Sequence, residues 1–208
     1  MNHPKHLDDL AQIRSIMERS TKFLSLSAWA AIMAGVYALI GAGIAYRIIY
    51  FSPIVRYEAL TQSFFHPDVL PLFLVAISVF VFAAATAIWL SYRKAKQAGQ
   101  KLWTRSAIRV LVNFIIPLAA GGVFVLILYG RGYYSLIAAS TLVFYGMALL
   151  NAGNFTFSDI RLLGISEILV GLLAALFPGK GLYFWAFGFG VLHIVYGIIM
   201  YWKYERGV

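Results

Sequence analysis

A bilayer core demands about 20 consecutive apolar residues from each helix that crosses it, and this sequence answers that demand six times in succession. The runs are Phe23 to Ile49, Leu70 to Tyr92, Val110 to Tyr129, Ser135 to Leu150, Ile160 to Phe177 and Leu182 to Trp202. Little of the 208 residues is left over. The expected architecture is therefore all-α: a polytopic membrane protein with six transmembrane helices arranged as three hairpins. Residues 1–22 would form a separate cytoplasmic segment and residues 23–208 the transmembrane domain. Hydrophobic residues make up 62% of the chain and charged residues 12%, a balance that a water-facing surface cannot carry. Acidic residues precede the first run, which is also too long for a cleaved signal peptide.

Orientation follows from the basic residues beside the runs. Of the 17 Lys and Arg, one side of the membrane receives Lys5, Arg14, Arg19, Lys22, Arg93, Lys94, Lys96, Lys101, Arg105, Arg109, Arg161, Lys203 and Arg206. The other receives Arg47, Arg56, Arg131 and Lys180. Both termini are therefore expected in the cytoplasm. The net charge of +9 needs no nucleic acid to explain it, because the basic loop is too short to present base readers. Lys101, Arg105 and Arg109 share one helix face and suit the anionic headgroups of the inner leaflet. Aromatic residues near the run ends, among them Trp89, Tyr92, Tyr129, Tyr134, Tyr183 and Trp202, fit headgroup-level anchors.

Outside the runs, Leu10, Ile13 and Met17 recur at helical spacing. They predict an amphipathic helix lying on the membrane or docking a cytosolic partner. His66 and Asp68, in the longest outer loop, are two potential ligands, too few for a metal site. With no cysteine in the chain, thiolate metal sites and cysteine nucleophiles are excluded. No zinc-protease, nucleophile-elbow or phosphate-loop motif occurs, so neither an enzyme nor a cofactor is expected.

The chain also resembles itself at an offset of about fifty residues. Gly130-Arg-Gly-Tyr-Tyr134 parallels Gly179-Lys-Gly-Leu-Tyr183, and Val143-Phe-Tyr-Gly-Met147 parallels Ile194-Val-Tyr-Gly-Ile198. The third and fourth runs thus look like a copy of the fifth and sixth, in parallel rather than inverted topology. The segments Gly164-Ile-Ser-Glu-Ile-Leu-Val-Gly171, Phe177-Pro-Gly-Lys-Gly181 and Phe187-Gly-Phe-Gly-Val-Leu-His-Ile-Val-Tyr-Gly197 carry a family resemblance. From about Ile13 onward the chain resembles a group of bacterial six-span inner-membrane proteins. Its last hairpin is similar to the repeat of the HdeD acid-resistance membrane proteins. The resemblance implies an inner-membrane location and six spans, and supplies no catalytic residues.

Ionisable groups at membrane depth are costly and mark function by default. Two stand out. Glu167 lies between Gly164 and Gly171, and His193 lies at the same spacing between Gly190 and Gly197. Glycines admit close helix approach, so both faces are expected inside the bundle. Both residues also lie about 16 to 18 Å from the turn at Pro178 by helical rise, so a hairpin would bring them face to face. The pair could be a polar clamp, a proton relay or sensor, or a ligand or ion site. Asn113, Pro117 and Gly121 recur four apart in the third run, where Pro117 frees a carbonyl; this face is expected to turn toward the bundle or line a cavity. Ser158 or Asp159 is expected to cap the fifth helix.

Two functions follow. One is a non-enzymatic membrane scaffold, partner or stress-associated component, assembling through small-residue faces such as Ala31, Gly35, Ala38 and Ala42, as a homo-oligomer or with a membrane partner. The other is a small proton-coupled transporter, channel or pH sensor using Glu167 and His193.

Overall fold

The computed structural model describes residues 26–51, 70–99 and 103–206. The N-terminal amphipathic segment, the loop bearing His66 and Asp68, and Lys101 lie outside the described residues. Every regular element among those described is helical. The helices are α1 (Ala28–Phe51), α2 (Leu70–Gln97), α3 (Arg105–Gly130), α4 (Ile137–Ala152), α5 (Ser158–Leu176) and α6 (Gly181–Tyr204). Short 3₁₀ turns, Tyr134–Leu136 and Gly153–Phe155, flank α4.

Five helices are long and apolar enough to cross a membrane: α1, α2, α3, α4 with its flanking turns, and α6. The remaining helix, α5, has 19 residues and carries Asp159, Arg161 and Glu167. Helices overrun the apolar stretches at their polar ends, because backbone pairing continues where lipid contact stops. Thus α2 continues past Tyr92 to Gln97, and α3 begins at Arg105, where the Thr104 hydroxyl accepts from the Ala107 N–H. Pro117 lies inside α3 without ending it.

Four helices share one pattern: a small residue, a β-branched residue four positions on, and glycine three beyond that. They are Ala28/Ile32/Gly35 on α1, Ala139/Val143/Gly146 on α4, Gly164/Ile168/Gly171 on α5 and Gly190/Ile194/Gly197 on α6. The pattern grips in pairs. A Cβ on Gly146 would stand 2.6 Å from the Gly164 carbonyl and 2.7 Å from Ile168 Cγ1. A Cβ on Gly35 would stand 2.6 Å from the Gly190 carbonyl and 2.7 Å from Ile194 Cγ1. Gly171 and Gly197 meet the backbone of Ala139 and Ala28 in the same reciprocal way. Each β-branched side chain thus fills the space its partner's glycine leaves, the close approach that small residues permit in a bilayer.

The rest of the bundle is built around these two pairs. Helix α2 packs on α1, α3 packs on α4, and α6 lies between α1 and the α4–α5 pair. The α2 and α3 helices are not packed along each other, and the apolar stretch of α2 is almost wholly unburied. Gly35, Ala38 and Ala42 are buried within the chain itself, so this face of α1 is already occupied. Tyr129, expected as a headgroup anchor, is also buried, edge-on to Phe73 with ring centroids 4.9 Å apart. Trp89, Tyr92, Tyr183 and Trp202 remain exposed.

One end of the bundle is tied by polar contacts. Glu205 Oε1 accepts from Lys94 Nζ at 2.7 Å and from the Ala28 N–H at 3.0 Å, satisfying a donor at the start of α1. Lys94 also donates to the Leu26 carbonyl. Neither Ser158 nor Asp159 caps α5, whose N-cap residue is Phe157. Asp159 instead accepts from Lys203 Nζ at 3.1 Å and from the Tyr204 hydroxyl at 2.7 Å. Stronger partners on α6 have drawn the carboxylate away from its own helix end.

Candidate functional site

Glu167 and His193 meet in the bundle interior. Glu167 is 0% exposed and His193 4%, with Glu167 Oε1 3.2 Å from His193 Nδ1. Each is presented by the glycine-flanked face that holds its helix against a partner: α5 against α4, and α6 against α1. The slot that Glu167 and His193 occupy, immediately before the β-branched residue, is filled on α4 by Leu142, which is wholly buried. Apolar packing is therefore the ordinary content of that slot.

The backbone of α6 is reshaped at this point. Ala186–Leu192 is wound as a π-helix that ends at His193, a local widening that recurs at functional sites. Gly188 lies within it, and a Cβ there would stand 2.6 Å from Glu167 Oε2 and collide with Leu142. Glycine is what lets the carboxyl approach the α6 backbone. The Gly188 carbonyl lies 3.2 Å from His193 Nδ1 and is hydrogen-bonded to it.

That bond sets the direction of the whole chain. A carbonyl can only accept, so His193 Nδ1 carries a hydrogen; in the neutral ring Nε2 is then an acceptor. To that neutral ring the Tyr145 hydroxyl, 2.8 Å from Nε2, donates. The Tyr145 ring is held by Phe114 and Phe189 at centroid distances of 5.8 and 4.9 Å, and it tilts over His193 at 5.4 Å.

Glu167 is the unsatisfied member. Its Oε1 touches Nδ1, but the ring N–H is engaged by the Gly188 carbonyl, and neither carboxyl oxygen accepts a hydrogen bond from any described residue. A buried acceptor left so costs about 1–3 kcal/mol. Hydroxyl, imidazole and carboxyl thus stand in a row, Tyr145 2.8 Å from His193 and His193 3.2 Å from Glu167.

A cavity of about 320 Å³ leads to this chain. Its lining includes Tyr145 and His193 but not Glu167, and is otherwise mostly apolar, with contributions from α1, α2, α3, α4 and α6. Asn113 does not take part. Its amide donates to the Arg109 carbonyl at 2.8 Å, one turn back on α3, and the residue is absent from the cavity wall. At 100° per residue, eight positions rotate Asn113 by about 80° from Gly121. Gly121 is buried against Phe144 and lines the cavity. Residues four apart share a face for one step, not for two.

Sequence reasoning overlooked Tyr145, Gly188 and the Asp159–Lys203–Tyr204 cluster. Tyr145 was visible as the tyrosine of the internal repeat, paired in register with Tyr196. The two now do related work, since the Tyr196 hydroxyl lies 3.1 Å from Ser166 Oγ, which itself donates to the Leu162 carbonyl. Among the described residues no group of three or more His, Cys, Asp or Glu could hold a metal ion.

No protein-family model matches the chain, and neither a curated protein nor a solved structure matches it.

Proposed function

We propose that this chain is a non-enzymatic, six-span component of the bacterial inner membrane that works as a small proton-coupled transporter, with Glu167 as its proton-binding group. The observation that carries the proposal is the fully buried Glu167 carboxyl, without a hydrogen-bond donor of its own, against an imidazole that a membrane cavity reaches. In this reading α5 is the sixth crossing. Its 19 residues span about 28 Å at 1.5 Å each, close to the roughly 30 Å hydrocarbon core. Its charges do not prevent this: Asp159 is paired at the helix end with Lys203, and Glu167 is sealed from lipid. The excess of Lys and Arg on one side supports cytoplasmic termini, and anionic headgroups are the natural partners of that side. The likeness of the last hairpin to the HdeD acid-resistance repeat is in keeping with a proton-responsive core.

Proteoliposomes under an imposed pH gradient test this reading. Wild-type protein should dissipate the gradient faster than empty liposomes, and Glu167→Gln and His193→Ala should each abolish the difference. If both variants match wild type in rate and in pH dependence, proton coupling through this pair is wrong.

A second reading, a scaffold or partner component, draws on the almost unburied α2. Co-purification of one stoichiometric membrane partner, lost when bulky residues are placed on the lipid-facing side of α2, would favour it.

A further inference from the structure

The cavity wall is a broken ring. Going round it, α2 packs on α1, α1 on α6, α6 on α4 and α4 on α3. Among the described residues the α2–α3 seam is the least packed, the two helices touching at Phe73 and Tyr129, and it is the side on which a lateral opening would lie. The residues along the seam are Ala76, Phe80 and Ala83 of α2 and Leu118, Gly122 and Val125 of α3. A mouth with such a rim admits molecules dissolved in the lipid and rejects hydrated solutes. The opposite wall carries Trp185, Phe189 and Phe144 around the polar groups of Tyr145, His193 and Thr141. Aromatic faces of this kind accept a planar ring by offset or edge-on stacking.

The hydrogen-bond order then decides which polar group the ring must carry. With the imidazole neutral, Tyr145 spends its one hydrogen on His193 Nε2, because Nδ1 is committed to the Gly188 carbonyl. What the Tyr145 oxygen still offers to the cavity is a lone pair, which accepts and cannot donate. Thr141 is likewise occupied, donating to the Ala138 carbonyl at 2.8 Å, so its free capacity is also an acceptor. A ligand hydroxyl satisfies this wall. A ligand carbonyl or ether oxygen would face lone pairs only.

We infer that the cavity is a binding site for a lipophilic aromatic alcohol or phenol, entering from the bilayer between α2 and α3 and donating its hydroxyl hydrogen to Tyr145. This names the substrate class of the transporter proposed above and rests on that reading only for what happens after binding. The site fits a compact ring better than a whole lipid, since about 320 Å³ lies at the small end of the range for ligand pockets.

Binding can be read without any proton movement. Trp185 lines the cavity, and replacing Trp29, Trp89, Trp103 and Trp202 by Phe leaves it as the sole tryptophan of the five. In nanodiscs, a bromo-alkylphenol should quench Trp185 fluorescence saturably. Its methyl ether and the corresponding bromo-quinone should bind about three- to tenfold more weakly, the discrimination that one hydrogen bond supplies. Tyr145→Phe should erase that preference while leaving the ether unchanged. Gly122→Phe should abolish saturable quenching by all three: Gly122 lines the cavity, and a Cβ there meets nothing within 4 Å, so a side chain can start from it without a clash. Quenching that rises linearly with lipid concentration of the probe, as simple partition would give, overturns the inference. So does a quinone or ether that binds as tightly as the phenol. Saturable phenol binding in a protein that moves no protons would keep the site and refute the transporter.

Discussion

The α4–α5 and α1–α6 pairs are held by the same device and differ in what they enclose. In both, a glycine on one helix receives a β-branched residue and a backbone carbonyl from the other, at nearly equal distances. The slot before the β-branched residue holds Leu142 and Glu167 in the first pair, Ala31 and His193 in the second. Apolar side chains serve the packing on one member of each pair, so packing did not require a carboxyl or an imidazole on the other. The difference separates what the fold needs from what has been added to it. The added groups come together at 3.2 Å because α6 lies between the two pairs.

The comparison breaks most severely if the shared grip is not essential. Gly146→Leu and Gly35→Leu should each cost about 3 kcal/mol or more, because the new side chain would be forced into the carbonyl of the facing helix. Unfolding in mixed micelles checks this, and a large loss in one pair but not the other would show that the grips are not equivalent. Next in size is Glu167→Leu, which gives α5 the residue type found in the matching slot of α4. The variant should be at least as stable as wild type, and up to about 2 kcal/mol more stable, since it removes an unsatisfied buried acceptor. A clear loss of stability would mean that Glu167 is part of the packing after all. Tyr145→Phe should cost about 1 kcal/mol, within the range for hydrogen bonds between membrane helices, measured by the same titration. Smallest of all, Lys203→Met should change stability by less than about 1 kcal/mol, because the Lys203 side chain is 51% exposed; Glu205→Gln, which weakens contacts to both Lys94 and the start of α1, should cost more.

Helix positions were legible in the sequence because lipid imposes long apolar runs. Helix ends were less so, since Arg93 to Gln97 continue α2 without any apolar signal. Glu167 and His193 could be found because ionisable residues are scarce at such depth and both sit between glycines. Tyr145 was marked in the sequence only by its place in the internal repeat, one of 13 tyrosines, and nothing in the repeat pointed to His193. Its role depends on which way α4 turns toward α6, a matter of tertiary packing. The same applies to Asp159, where local spacing pointed to a cap and a residue 45 positions away supplied the stronger partner. Asn113 failed for a geometric reason, the slow drift of a four-residue period around a helix that turns every 3.6.

Helix α6 leaves the ribosome last among the described helices, yet α1, the first, has its glycine face covered by it. During synthesis Gly35 and its neighbours must therefore wait with that face open, while α4 and α5 can close on each other as soon as both are made. Assembly of this protein should proceed from its middle outward, and an arrest before Gly190 should leave a nascent chain whose α1 is exposed to any quality-control factor that reads unpaired small-residue faces.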